Sequence, residues 1–190
     1  MNWLLTGGIG SGKTEVRRVL AGHGLMTIDA DSVGHEVLSP GGAAVEAVAE
    51  RWPDCVVDGV VDRRLLGARV FTSNEELQEL ERITHPHIFE AISRRVAEAT
   101  GSVVVEIPVL KKPAGTTWRV LVVDAPDEIR RQRAVDRGAA VEDVDRRMKV
   151  QPTRSEYLVA ADVVLPNTGS VDDLERGAGQ FVTHLVKIRG

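Results

Sequence analysis

The sequence predicts an α/β fold: a parallel sheet of about five strands with helices on both faces. Short β-branched runs alternate with longer segments of helical period, as they do where each strand returns through a crossover helix. Val103–Ile107 and Val120–Val123 are almost wholly apolar runs, the pattern of inner strands buried on both faces. A glycine-rich stretch separates the first apolar run from the first helical one, at the sheet edge where such folds bind ligands.

In order, Trp3–Leu5 is the first strand, Thr6–Thr14 a loop, and Lys13 to about Ala21 a helix with Val16, Val19 and Leu20 on its inner side, stopped by Gly22 and Gly24. Met26–Ile28 is the second strand and ends in Asp29-Ala30-Asp31. Val33, Val37 and Leu38 mark a short helix closed by Pro40-Gly41-Gly42, Ala43–Trp52 marks another, and Pro53–Asp62 is irregular. Arg63–Phe71, Asn74–Ile83 and His87–Ala99 are three helical stretches with no strand between them, hence a helical insertion over about 53–99. Val103–Ile107 and Val120–Val123 are the third and fourth strands. Helices over about Asp127–Arg137, Val141–Val150 and Arg154–Ala161 lead to the last strand, Val163–Leu165, and a closing helix, Asp172–Ile188. A single domain, 1–190, follows: a core of 1–52, 100–129 and 158–190, the insertion, and a lid over about 130–157.

The 190 residues carry 24 basic and 28 acidic side chains, a net charge of −4 that offers nucleic acid or anionic lipid no general attraction. Aromatics are 4%, too few for a base-stacking platform. The charge is uneven. Arg130–Arg154 holds eight basic residues against four acidic, a local net of +4 that leaves −8 on the rest. Nineteen arginines against five lysines suit phosphate recognition. The single cysteine, Cys55, makes no internal disulfide and has no activating base beside it. No apolar run reaches the ~18 residues of a membrane span. A cytoplasmic chain with no obligate protein partner is expected.

Gly7-x-x-x-x-Gly12-Lys13-Thr14 matches the phosphate-binding loop G-x-x-x-x-G-K-[ST], with a strand before it and a helix after it. Chance would supply roughly 0.004 such matches at this composition. Glycines let backbone amides converge on phosphate oxygens, and the helix adds amides and a positive dipole end. The candidate ATP-binding residues are Gly8, Gly10, Ser11, Gly12, Lys13, Thr14 and Glu15, with Lys13 on the β- and γ-phosphates and the Thr14 hydroxyl on Mg²⁺. The dinucleotide spacing G-x-G-x-x-G is not met, since Lys13 and Glu15 stand where its last glycine would fall.

Asp29 and Asp31, two apart, share a face in extended chain, where a carboxylate could take a proton from an attacking hydroxyl; either could instead cap the helix that follows. Arg130, Arg133 and Arg137 lie at helical spacing and could be brought over the phosphates by lid closure. Alternatively, they form a solvated face paired with Glu142, Asp143 and Asp145. His85-Pro86-His87 could suggest a metal pair, but no third ligand cluster accompanies it and the proline marks a helix start.

The ordered set of the phosphate loop, Ile28-Asp29-Ala30-Asp31, His85-Pro86, Ile107-Pro108-Val109-Leu110, Gln132-Arg133 with Arg137, Gln151-x-x-Arg154, and Ala161-Asp162-Val163-Val164 with Asn167-Thr168-Gly169 resembles the dephospho-coenzyme A kinases over nearly the whole chain. The resemblance implies a P-loop kinase that moves the ATP γ-phosphoryl group to the ribose 3′-hydroxyl of dephospho-coenzyme A. It implies Asp31 as the catalytic base, Lys13, Arg133 and Arg137 as catalytic cations, and Asn167 and Gly169 near the adenine. Asp31, His85 and Pro108 fall on the acceptor side, the helical insertion helps to bind the acceptor, and Mg²⁺ accompanies ATP. The chain departs from the family at Lys111-Lys112, where an aromatic and an acid are usual, and at His35 and Pro152. Another small-molecule kinase on the same fold is the nearest rival. A GTPase-type switch would need Asn-Lys-x-Asp, whereas Asn167 precedes Thr168-Gly169.

Overall fold

In a computed structural model, which describes residues 1–108, 110 and 117–189, the chain runs β1 (Asn2–Thr6), α1 (Lys13–Gly22), β2 (Met26–Asp29), α2 (Ala30–Val37), α3 (Val45–Arg51), a 3-10 turn (Pro53–Cys55), β3 (Val56–Val57), β4 (Val60–Val61), α4 (Arg63–Val70), α5 (Asn74–Glu98), β5 (Val103–Glu106), β6 (Trp118–Asp124), α6 (Asp127–Asp136), α7 (Val141–Val150), α8 (Arg154–Ala160), β7 (Val163–Pro166) and α9 (Val171–Arg189). Packing divides it into two units: Met1–Ile28 with Ala99–Gly190, and Asp29–Glu98.

The first unit is built on the expected sheet, in strand order β2-β5-β1-β6-β7. β1 lies parallel to β5 and β6, with Leu5 opposite Glu106 and Leu121, and β6 lies parallel to β7. Apolar runs become strands because both faces are covered: Leu4, Leu5 and Val103–Val105 are buried. On one face Trp3, Leu5 and Leu121 pack with Val16 and Leu20 of α1 and with Leu174, Phe181 and Leu185 of α9; on the other, Val120 and Val122 pack with Tyr157 of α8. Phe181 meets Trp3 edge to face, 4.8 Å between ring centres. Truncating Leu5 to alanine at the middle of this core would cost about 2–5 kcal/mol.

The second unit has its own core of Val37, Ala44, Val48, Trp52, Cys55, Val61, Leu66, Val70 and Ile83. Three expectations are corrected here. The helical unit begins at Asp29 rather than near 53, because Val37, Ala44 and Val48 of the 30–52 segment bury their side chains in this core. The irregular 53–62 segment contains a hairpin: Val56 pairs with Val61 and Val57 with Val60, around a turn in which Asp58 (φ 50°) and Gly59 (φ 73°) are both left-handed. The two helices expected on either side of Pro86 are one helix, α5, with Pro86 inside it. Proline removes one backbone hydrogen bond and usually breaks a helix interior. Here Ile83 before it and Ile92 and Val96 after it are buried along the same helix, Pro86 faces solvent, and the Thr84 hydroxyl donates to the Leu80 carbonyl at 2.8 Å. Packing outweighs the local break. Cys55 is a core residue whose thiol is pushed up by burial, which keeps it unreactive.

Candidate active site

β1 delivers the chain into the loop and α1 begins at Lys13, so the amides of the first helical turn face the loop. Gly12 caps α1 at φ 100°, a conformation that excludes most side chains, and a Cβ there would overlap Nδ2 of Asn167. Lys13 Nζ donates to the carbonyls of Gly7 at 2.8 Å and Gly8 at 3.3 Å, lying along the loop's entering arm. The Ser11 amide closes the turn onto the Gly8 carbonyl. Gly8 and Gly10 are glycine for a second reason besides amide convergence: a Cβ on Gly8 would overlap the Arg130 guanidinium, and one on Gly10 would overlap the Arg130 backbone. Among the described residues, the hydroxyls of Thr6 and Ser11 and Nε and Nη1 of Arg130 are buried without hydrogen-bond partners, and all three residues border the loop. Such unmet polarity suits a polyanion. Glu15 offers the loop its amide only, since its carboxylate is held by Arg18 at 2.5 Å.

Sequence reasoning missed Glu106. It ends β5 beside β1, is 8% exposed, and accepts from the Thr14 hydroxyl at 3.0 Å and from Arg17 Nε at 2.6 Å. An acid closing an otherwise apolar inner strand was the available signal. Thr14 and Glu106 together present hard oxygen donors at the loop, the set that Mg²⁺ prefers.

Asn167 follows β7 and clamps the loop from the other side: its Nδ2 donates to the Ser11 carbonyl at 2.7 Å. Arg133 Nη1 donates to the Asn167 carbonyl at 2.9 Å and Nη2 to that of Gly169 at 3.4 Å, and Arg137 Nε reaches only the Arg133 carbonyl, 3.2 Å away. The three arginines are therefore not gathered over the phosphate loop. Seven residues of helix separate Arg130 from Arg137 by about 10 Å along the axis. Arg130 is at the loop, Arg133 holds the Asn167–Gly169 turn, and Arg137 closes its own helix. The solvated-face alternative fits their neighbours instead. Arg131 pairs with Asp145 at 2.6 Å and holds that carboxyl below the usual range, and Arg146 pairs with Asp143. A second residue missed as a loop contact is Gln151, at the junction of α7 and α8, whose Oε1 accepts the Ile9 amide at 2.8 Å. Arg154 grips Asp124 through two bonds, 2.8 and 2.7 Å.

In the helical unit Asp29 is the cap of α2, its Oδ1 accepting from the amides of Asp31 at 3.0 Å and Ser32 at 3.4 Å. Helix begins at Ala30, so Asp29 and Asp31 do not share a strand face as expected. The Asp31 carboxylate is exposed and takes no part in the cap. His85 stands half-buried on α5 with its ring 5.7 Å from that of Phe89. In the sheet unit, the Pro108 carbonyl accepts from the Tyr157 hydroxyl at 3.2 Å. Lys111 and Lys112 lie outside the described residues.

The family model described as dephospho-CoA kinase matches residues 3–173. A dephospho-CoA kinase of Frankia casuarinae is 42% identical over 177 residues, covering 90% of this chain and 77% of that protein. One of Streptomyces avermitilis is 40% identical over 190 residues, covering 96% and 92%. A crystal structure of a Thermus thermophilus protein superposes with a TM-score of 0.82 at 33% identity, covering 97% of both chains. The matched span takes in the phosphate loop, Glu106, α6 and the Asn167–Gly169 turn, and the chain belongs to the dephospho-CoA kinase family.

Proposed function

We propose that the chain transfers the γ-phosphoryl group of ATP to the ribose 3′-hydroxyl of dephospho-coenzyme A, giving coenzyme A and ADP, the last step of coenzyme A synthesis, in the cytoplasm. The observation that carries this is a complete phosphate loop, with Lys13 along it and Thr14 bonded to Glu106, in a chain matched to one kinase family over residues 3–173.

The attacking 3′-oxygen forms a bond to the γ-phosphorus as the bond from that phosphorus to the β,γ-bridging oxygen breaks, and the hydroxyl proton passes to the Asp31 carboxylate. Lys13 exchanges its loop carbonyls for phosphate oxygens. The amides of Gly10 to Glu15 bind the phosphates, and Gly8 leaves space for Arg130. Thr14 and Glu106 would hold Mg²⁺, which would supply positive charge against that of the phosphates. Asn167 and Gly169, fixed by Arg133, border the adenine, and Arg137 acts from the lid over 130–157. His85 and Pro108 contribute on the acceptor side.

An acceptor panel tests this. ADP release should be fastest with dephospho-coenzyme A; faster release with adenosine, a nucleoside monophosphate or shikimate would assign the chain another acceptor.

A further inference from the structure

Arg130 is 5% exposed, among the least accessible charged side chains of the described residues. Its Nη2 donates to Asp127 Oδ1 at 2.6 Å, one turn earlier on α6, and that carboxylate is 56% exposed. Nε and Nη1 are buried and meet no acceptor among the described residues. A guanidinium stays charged at any physiological pH, so this side chain keeps a full positive charge and two unmet donors out of water. A residue that only filled space beside the loop would be apolar, since an unsatisfied buried donor is penalised more than a hydrophobic group of the same volume.

The guanidinium has a definite address. Nη1 occupies the volume where a side chain of Gly8 would lie, and the Arg130 backbone takes the corresponding volume at Gly10. Lys13 Nζ rests on the carbonyls of Gly7 and Gly8. Two cations thus flank one arm of the loop, the second on a planar fork suited to paired phosphate oxygens. Its Asp127 bond fixes the side chain while leaving two nitrogens, Nε and Nη1, uncommitted.

We propose that Arg130 is a further phosphate-binding residue, donating from Nε and Nη1 to the polyphosphate held by the loop. This rests on the ATP-binding reading of that loop. Arg130 is paired on one nitrogen with the half-exposed Asp127 and keeps Nε and Nη1 for a ligand, which makes it a contributor to nucleotide affinity at the expense of fold stability.

The test uses full-length wild type, Arg130→Met and Arg130→Lys without acceptor, titrated calorimetrically with Mg-ATP and with tripolyphosphate, which reads the cradle without the base. Melting temperature without ligand is recorded in parallel. Arg130→Met should weaken both ligands at least tenfold, Arg130→Lys should weaken them less, and the unliganded Met variant should melt no lower than wild type. If Arg130→Met melts too low to titrate, Arg130→Gln, which keeps a donor without charge, is titrated in its place under the same criteria. Binding of both ligands within threefold of wild type would overturn the proposal and leave Arg130 as a packing residue. A wild-type chain that binds ATP but transfers nothing to dephospho-coenzyme A would instead defeat the kinase assignment and leave this proposal standing.

Discussion

The Thr14 hydroxyl donates to the Glu106 carboxylate across 3.0 Å, joining the first turn of α1 to the end of β5. Glu106 is held on its other oxygen by Arg17 at 2.6 Å, so its direction is set before any ligand arrives. A preoriented carboxylate beside a P-loop hydroxyl offers oxygen donors of the kind a hard cation takes, and the proposed Mg²⁺ role can be tested there. Glu106→Gln keeps the shape, removes the charge and turns one of the two accepting oxygens into a donor. The Mg²⁺ concentration for half-maximal activity should rise roughly 10- to 100-fold, the range seen when groups around a metal are removed. Activity titrated against Mg²⁺ measures it, and an unchanged midpoint would make Glu106 only a partner of Arg17.

Lys13→Ala removes the cation that runs along the Gly7–Gly8 arm. Turnover should fall roughly 10²–10³-fold, as for loss of one preorganised charge stabiliser, with weaker ATP binding as well. Steady-state kinetics with varied ATP reads both effects; normal values would refute the phosphate-loop assignment.

Asp31→Asn touches neither the α2 cap, which belongs to Asp29, nor the loop amides. ATP affinity should stay within about threefold while turnover drops roughly 10²-fold or more, the size of a lost general base. Nucleotide titration beside turnover separates the two, and unchanged turnover would remove Asp31 from the chemistry.

Glu76 holds the helical unit's Trp52 through its indole N–H at 2.6 Å and Arg51 at 2.6 Å, and these bonds, led by that from Trp52, lower its pKa. A carboxylate depressed on folding adds stability above its unfolded pKa and loses it as pH falls through the folded one. Melting temperature should therefore decline on acidification below the ordinary glutamate value of 4.5, and Glu76→Gln should flatten that decline. Melting curves across this window check it; identical slopes in both proteins would exclude Glu76 as a contributor.

Much of this was legible from residues alone. Strands β1, β5 and β6 were readable because apolar runs between turn residues have few alternatives when both faces are buried, and the half-exposed edge strands β2 and β7 because β-branched residues stand between turn signals there. The phosphate loop was readable because its spacing is rarely met by chance. Continuity through Pro86 was not, since local chemistry argues for a break and only the burial of Ile83, Ile92 and Val96 argues against it. The hairpin was in reach: Asp58-Gly59 between valine pairs is a turn signal outweighed by the surrounding irregularity. Glu106 hid in a strand whose neighbour is 101 residues away, and the separate placements of Arg130, Arg133 and Arg137 depend on which loop each meets, which helical spacing does not encode.

The most direct measurement is ADP release by the purified chain with Mg-ATP and dephospho-coenzyme A as the only acceptor, followed by phosphorus NMR of the product. Stoichiometric ADP with a new 3′-phosphomonoester is expected. ADP formed at the same rate without acceptor, or phosphate found on another position, would contradict the assignment.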